Sequence, residues 1–119
     1  MSQPLNWKSL STREEFNRLV DDSRDKPALI FKHRPSSEES QHALKKLEQE
    51  WTISPENLDL YMLDVMKDKD VNGAVTEMAG VINEYQQVLL FADGVTMYEE
   101  TREMINVKKI RLALKIINR

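Results

Sequence analysis

Two short apolar segments with one helical stripe between them constrain this chain more than any other feature. Ala28-Leu29-Ile30-Phe31 is a continuous apolar run, the pattern of a strand buried on both faces. Lys26-Pro27 ahead of it breaks any preceding helix. Beyond it, Ser36 and Glu39 have the form of a capping box, and Ala43, Leu44, Leu47 and Trp51 make one apolar stripe with Lys45, Lys46, Glu48 and Gln49 outside it. Ile53-Ser54-Pro55-Glu56-Asn57 reads as a turn, after which Leu58, Leu60, Met62 and Val65 mark a second apolar strand ending near Asp64. Strand, helix and strand in this order predict a parallel pair joined by a right-handed crossover.

The remaining segments extend that unit. Ser11-Thr12-Arg13-Glu14 has capping-box form, and Phe16, Leu19 and Val20 continue at helical spacing to about Asp22. Lys67-Asp68-Lys69-Asp70 is a charged loop whose last residue is placed to cap a helix carrying Val71, Ala74, Val75 and Met78, with Gly80 as its stop. Gln87-Val88-Leu89-Leu90-Phe91 and Val95-Thr96-Met97-Tyr98 flank Ala92-Asp93-Gly94 as a hairpin. Asn106 caps a last helix with Val107, Ile110, Ala113, Leu114 and Ile117 inward and Lys108, Lys109, Arg111 and Lys115 outward. The order αβαβαββα predicts a single α/β domain over residues 1–119, with a central mixed four-stranded sheet and helices on both faces, which is the thioredoxin-like arrangement.

Composition removes several classes of function. A net charge of −3 gives no general attraction to phosphate backbones or anionic lipid, so neither nucleic acid nor a membrane is an expected partner. No apolar run approaches the roughly 20 residues that span a bilayer. The polar start Met1-Ser2-Gln3-Pro4 lacks a signal peptide's apolar region, which makes the cytoplasm the expected location.

The segment Phe31-Lys32-His33-Arg34-Pro35-Ser36-Ser37-Glu38-Glu39-Ser40 runs from a strand into a helix start, built like a thiol-redox active site, yet the chain holds no cysteine. A helix N-terminus lowers a thiol's pKa and so supplies the reactive thiolate. A serine hydroxyl in that place stays protonated at neutral pH and forms no disulfide. Thiol catalysis, disulfides and thiolate metal sites are therefore excluded, no catalytic residue is assigned, and no cofactor is expected.

Phe31-Lys32-His33 entering a helix, Ala43-Leu44-Lys45-Lys46-Leu47-Glu48 within it, Glu84-Tyr85-Gln86-Gln87-Val88-Leu89-Leu90-Phe91, Asp93-Gly94 and Ile105-Asn106-Val107 together resemble the YtxJ-type bacilliredoxins, over about residues 10–114. These are bacterial monothiol proteins of thioredoxin fold linked to bacillithiol. The resemblance places the family's Cys-Pro-Ile-Ser-like motif on Ser37-Glu38-Glu39-Ser40, where only the last serine matches. It places the family's proline, cis in the thioredoxin fold, on Gln86, and a family-typical histidine on Arg102. Three departures at one site, with the scaffold residues kept, imply a natural redox-inactive relative. Without proline a cis bond costs roughly 2.5 to 4 kcal/mol, so Tyr85-Gln86 is expected to be trans with its loop reshaped.

Each residue of this relic region, His33, Arg34, Ser37, Glu38, Ser40, Tyr85, Gln86 and Arg102, carries a plain reading beside a functional one. Ser37 is a helix cap, or a hydroxyl beside free backbone N–H groups that hold a carboxylate or phosphate. His33, four residues earlier, could act as its base, but no Gly-x-Ser-x-Gly elbow is present and Glu38 and Glu39 would oppose an oxyanion. His33, His42, Glu38 and Glu39 do not follow a known metal-ligand spacing, so no metal is expected, and His42 pairs with the acids one helical turn before it. Arg34 and Arg102 could frame a small cationic pocket, and Tyr85 could cover the groove in which this fold receives an extended ligand.

The preferred function is a redox-inactive adaptor or interaction module in a stress or redox network, with a protein partner. The alternatives are a site for a small anionic or thiol metabolite at the Ser37 helix start, and a scaffold whose role is oligomerisation.

Overall fold

The computed structural model describes residues 5–118; Met1-Ser2-Gln3-Pro4 and Arg119 lie outside them. The elements run β1 (Trp7–Ser9), α1 (Arg13–Asp22), β2 (Ala28–His33), α2 (Glu38–Glu50), β3 (Asp59–Asp64), α3 (Lys69–Ala79), β4 (Gln87–Ala92), β5 (Val95–Thr101), a 3-10 turn (Arg102–Met104) and α4 (Val107–Ile117). Among the described residues the sheet has five strands in the order β1-β3-β2-β4-β5, parallel on the β1-β3-β2 side and antiparallel from β2 through β4 to β5.

The fifth strand corrects the expected four. β1 is three residues long at a sheet edge, too short for period-2 alternation to register. Its Trp7 meets Phe31 edge-on at 6.0 Å and donates its indole N–H to Glu48 at 3.0 Å, so strand and ring pin the same edge.

Side-chain alternation divides the core between the sheet's two faces. Leu29 and Phe31 of β2 with Val88 and Leu90 of β4 meet Leu47 of α2 and Val107, Ile110 and Leu114 of α4. Ala28, Ile30, Leu89 and Phe91 turn the other way, onto Phe16, Leu19 and Val20 of α1 and Val71 and Val75 of α3. Asp93 and Gly94 both take positive φ at the hairpin, and Gly80 ends α3 in the left-handed conformation.

Local chemistry moved three helix starts. Thr12, not Ser11, caps α1, with Glu15 closing the box; both N–H groups of 11 and 12 bind the Glu15 carboxylate. Ser37, not Ser36, caps α2, because its hydroxyl accepts the Ser40 N–H. Asp68 stands at the start of α3, and Asp70 sits inside the first turn, bound in bidentate fashion to Arg13 at 2.8 Å. Met78, expected inward, is exposed near the end of α3.

Candidate functional site

β2 ends at His33, and the turn that follows delivers Ser37 to the start of α2. The Ser37 N–H donates to the Arg34 carbonyl at 2.9 Å, and its hydroxyl oxygen accepts from the Ser40 N–H at 3.2 Å, so Ser37 is an N-cap. Ser40, fully buried one turn on, ties the junction together. Its oxygen accepts the Arg34 N–H at 3.0 Å and stands 2.7 Å from His33 Nδ1. The Ser40 hydroxyl carries one donor and two acceptor lone pairs, so it serves the Arg34 N–H and His33 Nδ1 together with either tautomer of the ring. Burial lowers the His33 pKa and favours the neutral ring. His33 is thus engaged by Ser40 rather than by Ser37, and the Ser40 hydroxyl has no exposed face for a substrate.

Opposite this junction lies the segment 84–86. The Gln86 N–H donates to the Lys32 carbonyl at 2.9 Å, its carbonyl accepts the Arg102 N–H at 2.7 Å, and its φ is +59°. The Tyr85–Gln86 bond is trans, as expected, and the positive φ is the form the reshaping takes. Arg34 stacks its guanidinium over the Tyr85 ring at 5.2 Å. Arg102 pairs with Glu84 at 3.1 Å. The two arginines therefore have separate partners, and the small cationic pocket expected from them does not form.

Between α2, Gln86 and the 3-10 turn lies an open groove of about 650 Å³. Glu38, Glu39 and His42 line one wall and Arg102 and Glu103 the other, with Gln86 and the buried Ile105 among its lining. Gln86 reaches Glu39 through its side-chain amide at 3.4 Å. Glu38, Glu39 and Glu103 enter no ion pair among the described residues, whereas Arg102 is neutralised by Glu84. Against three carboxylates the lining sets one unpaired ammonium, Lys46, so the groove is net acidic. Among the described residues no three His, Asp or Glu side chains converge as a metal site. Ser37, Tyr85 and Arg34 stand outside the lining.

Lys32 is the residue that sequence reasoning passed over. It continues the apolar strand by one position, is fully buried, and donates from Nζ to Thr76 Oγ1 at 2.6 Å and Asn83 Oδ1 at 3.2 Å. Burial pulls its pKa down to about 8. A lysine directly after four apolar strand residues was the available signal.

The family model described as monothiol bacilliredoxin BrxC matches residues 8–110. Among solved structures, a protein described as having a thioredoxin fold is similar at 21% identity and TM-score 0.76, over 88% of this chain and 90% of that one. Thioredoxin from Malassezia sympodialis is 14% identical at TM-score 0.70, over 93% and 90% of the two chains. Fasciola hepatica thioredoxin is 12% identical at TM-score 0.67, over 92% and 97%. The comparison with curated proteins finds no match. No helix among the described residues is long and apolar enough to cross a membrane.

Proposed function

The chain belongs to the monothiol bacilliredoxin family but lacks the thiol, and from that premise we propose that it is a binding module which takes an extended, basic segment of a partner protein in the groove beside Gln86. One observation carries this reading. At the end of the fold where the resemblance places the lost cysteine and proline, a groove remains, and unpaired carboxylates stand on both walls against the single unpaired ammonium of Lys46. Lysine or arginine side chains in an extended segment would meet Glu38 and Glu39 on one side and Glu103 on the other, while the half-buried Ala43 gives the segment apolar contact. Binding of this kind serves an adaptor in a stress or redox network and asks for no covalent step.

A small anionic ligand at the Ser37 helix start finds less support. The hydroxyl oxygen of Ser37 already accepts from Ser40, two carboxylates open the helix, and Arg34 and Arg102 are engaged elsewhere.

The test is affinity for short extended peptides of matched length, one Lys/Arg-rich and one Asp/Glu-rich, with inorganic phosphate as the anionic probe. The basic peptide is expected to bind, to weaken as salt rises, and to lose at least tenfold in affinity with Glu39→Gln and Glu103→Gln together. Preference for phosphate or for the acidic peptide would overturn the reading.

A further inference from the structure

We infer that Lys32 is the internal latch of the α3–β4 connection, a positioning residue that fixes the segment 80–86 and with it the place of Gln86 at the groove. Three contacts carry this. Lys32 Nζ donates to Thr76 in the last turns of α3, just before the connection begins, and to Asn83 in its middle. The main-chain carbonyl of the same residue receives the N–H of Gln86 at its end. One residue of β2 therefore holds the connection at its approach, its centre and its exit. Asn72 reinforces the centre by donating from Nδ2 to Asn83 Oδ1 at 3.1 Å.

The surroundings of Nζ set it apart from ordinary core packing. Lys32 faces α3 alongside its cross-strand partner Gln87, and no carboxylate pairs with it among the described residues. Asn72 Oδ1 and Gln87 Oε1 are buried there without a hydrogen-bond partner. A buried ammonium balanced only by neutral oxygens weakens a fold relative to an apolar side chain of the same length. The geometry assigns it another use, holding polar groups of a connection that has no regular structure of its own.

The functional consequence, control of groove shape, rests on the binding reading above, but the latch is tested without any ligand. Lys32→Met keeps length and removes Nζ; Asn83→Ala breaks the same contact from the surface side, where folding is not at stake. In the free protein, ¹⁵N order parameters for residues 81–86 are expected to fall from about 0.85 to below about 0.6 in both variants. The Gln86 amide should exchange about tenfold faster, while the amides of Leu89 and Phe91 keep their protection. An unchanged 81–86 segment in either variant overturns the latch, as does an equal loss of protection at Leu89 and Phe91. In a second arm, the Lys/Arg-rich peptide should bind Lys32→Met more weakly than wild type. If that peptide fails to bind wild type while the segment still loosens, the binding reading fails and the latch stands.

Discussion

The main-chain N–H of Arg102 donates to the Gln86 carbonyl at 2.7 Å, and both residues stand in the left-handed region, at φ +53° and +59°. Neither is glycine, so each carries about 1 to 2 kcal/mol of steric strain, held in place by this bond and by the Gln86 N–H on Lys32. The resemblance to bacilliredoxins places the family's proline and histidine on these same two positions.

Proline cannot adopt the Gln86 conformation, since its ring holds φ near −65° and it has no N–H for the Lys32 carbonyl. Gln86→Pro is expected to destabilise by about 3 kcal/mol or more in urea unfolding, even though proline is the residue that the resemblance places there. Gln86→Asn, tolerant of positive φ, should stay within about 1 kcal/mol of wild type. Equal stability of the proline variant and wild type would show that the strained pair does not hold the segment.

Ser37 and Ser40 look equivalent in sequence and differ in structure. Ser37→Ala removes a cap and should cost about 0.5 to 2 kcal/mol. Ser40→Ala strands the Arg34 N–H and His33 Nδ1 in a half-buried junction, at about 1 to 3 kcal/mol. Thermal or denaturant unfolding should rank Ser40→Ala as the more damaging, and the reverse order would contradict the assigned network.

Lys32 makes stability depend on pH in an unusual direction. Its folded pKa of about 8 lies below the ordinary lysine value of 10.5, so between these values the unfolded chain binds more protons than the folded one. Stability should rise as pH goes from about 8 to about 9.5, below the range in which tyrosines titrate. Lys32→Met should abolish the rise and unfold at higher denaturant than wild type at pH 7. A flat wild-type profile over that window would contradict a buried, weakly compensated amine.

Ser37→Cys would place a thiol at the helix N-terminus, which lowers its pKa, next to Glu38 and Glu39, which raise it. Alkylation rate against pH should report a thiol pKa within about one unit of the free value of roughly 8.5. A value below about 6 would mean that the site still favours a thiolate.

The layered fold was legible because its signals are local: apolar runs for β2 and β4, helical stripes for α1, α2 and α4, and the Asp93-Gly94 turn. The edge strand β1 was not, since three residues give no period and its place depends on pairing with β3. The capping boxes of α1 and α2 were set one residue early, at Ser11 and Ser36, where neighbouring serines and acids offer competing boxes and only side-chain geometry chooses between them; for α2 the observed cap is the competing one, Ser37. At the site, Ser37 as a cap and Gln86 as the reshaped position were readable from residue type. The engagement of His33 by Ser40, the separation of Arg34 from Arg102 and the reach of Lys32 to Asn83 depend on contacts 7 to 51 residues apart, which no local pattern encodes.

On the function proposed above, the groove beside Gln86, and not a reactive side chain, is the working part of this protein. Titrating the ¹⁵N-labelled chain with the Lys/Arg-rich peptide and mapping amide shifts tests it most directly. The expected result is saturable shifts confined to residues 38–46, 84–87 and 102–105, diminished by Glu39→Gln with Glu103→Gln. Shifts centred elsewhere, or none at millimolar peptide, would contradict it.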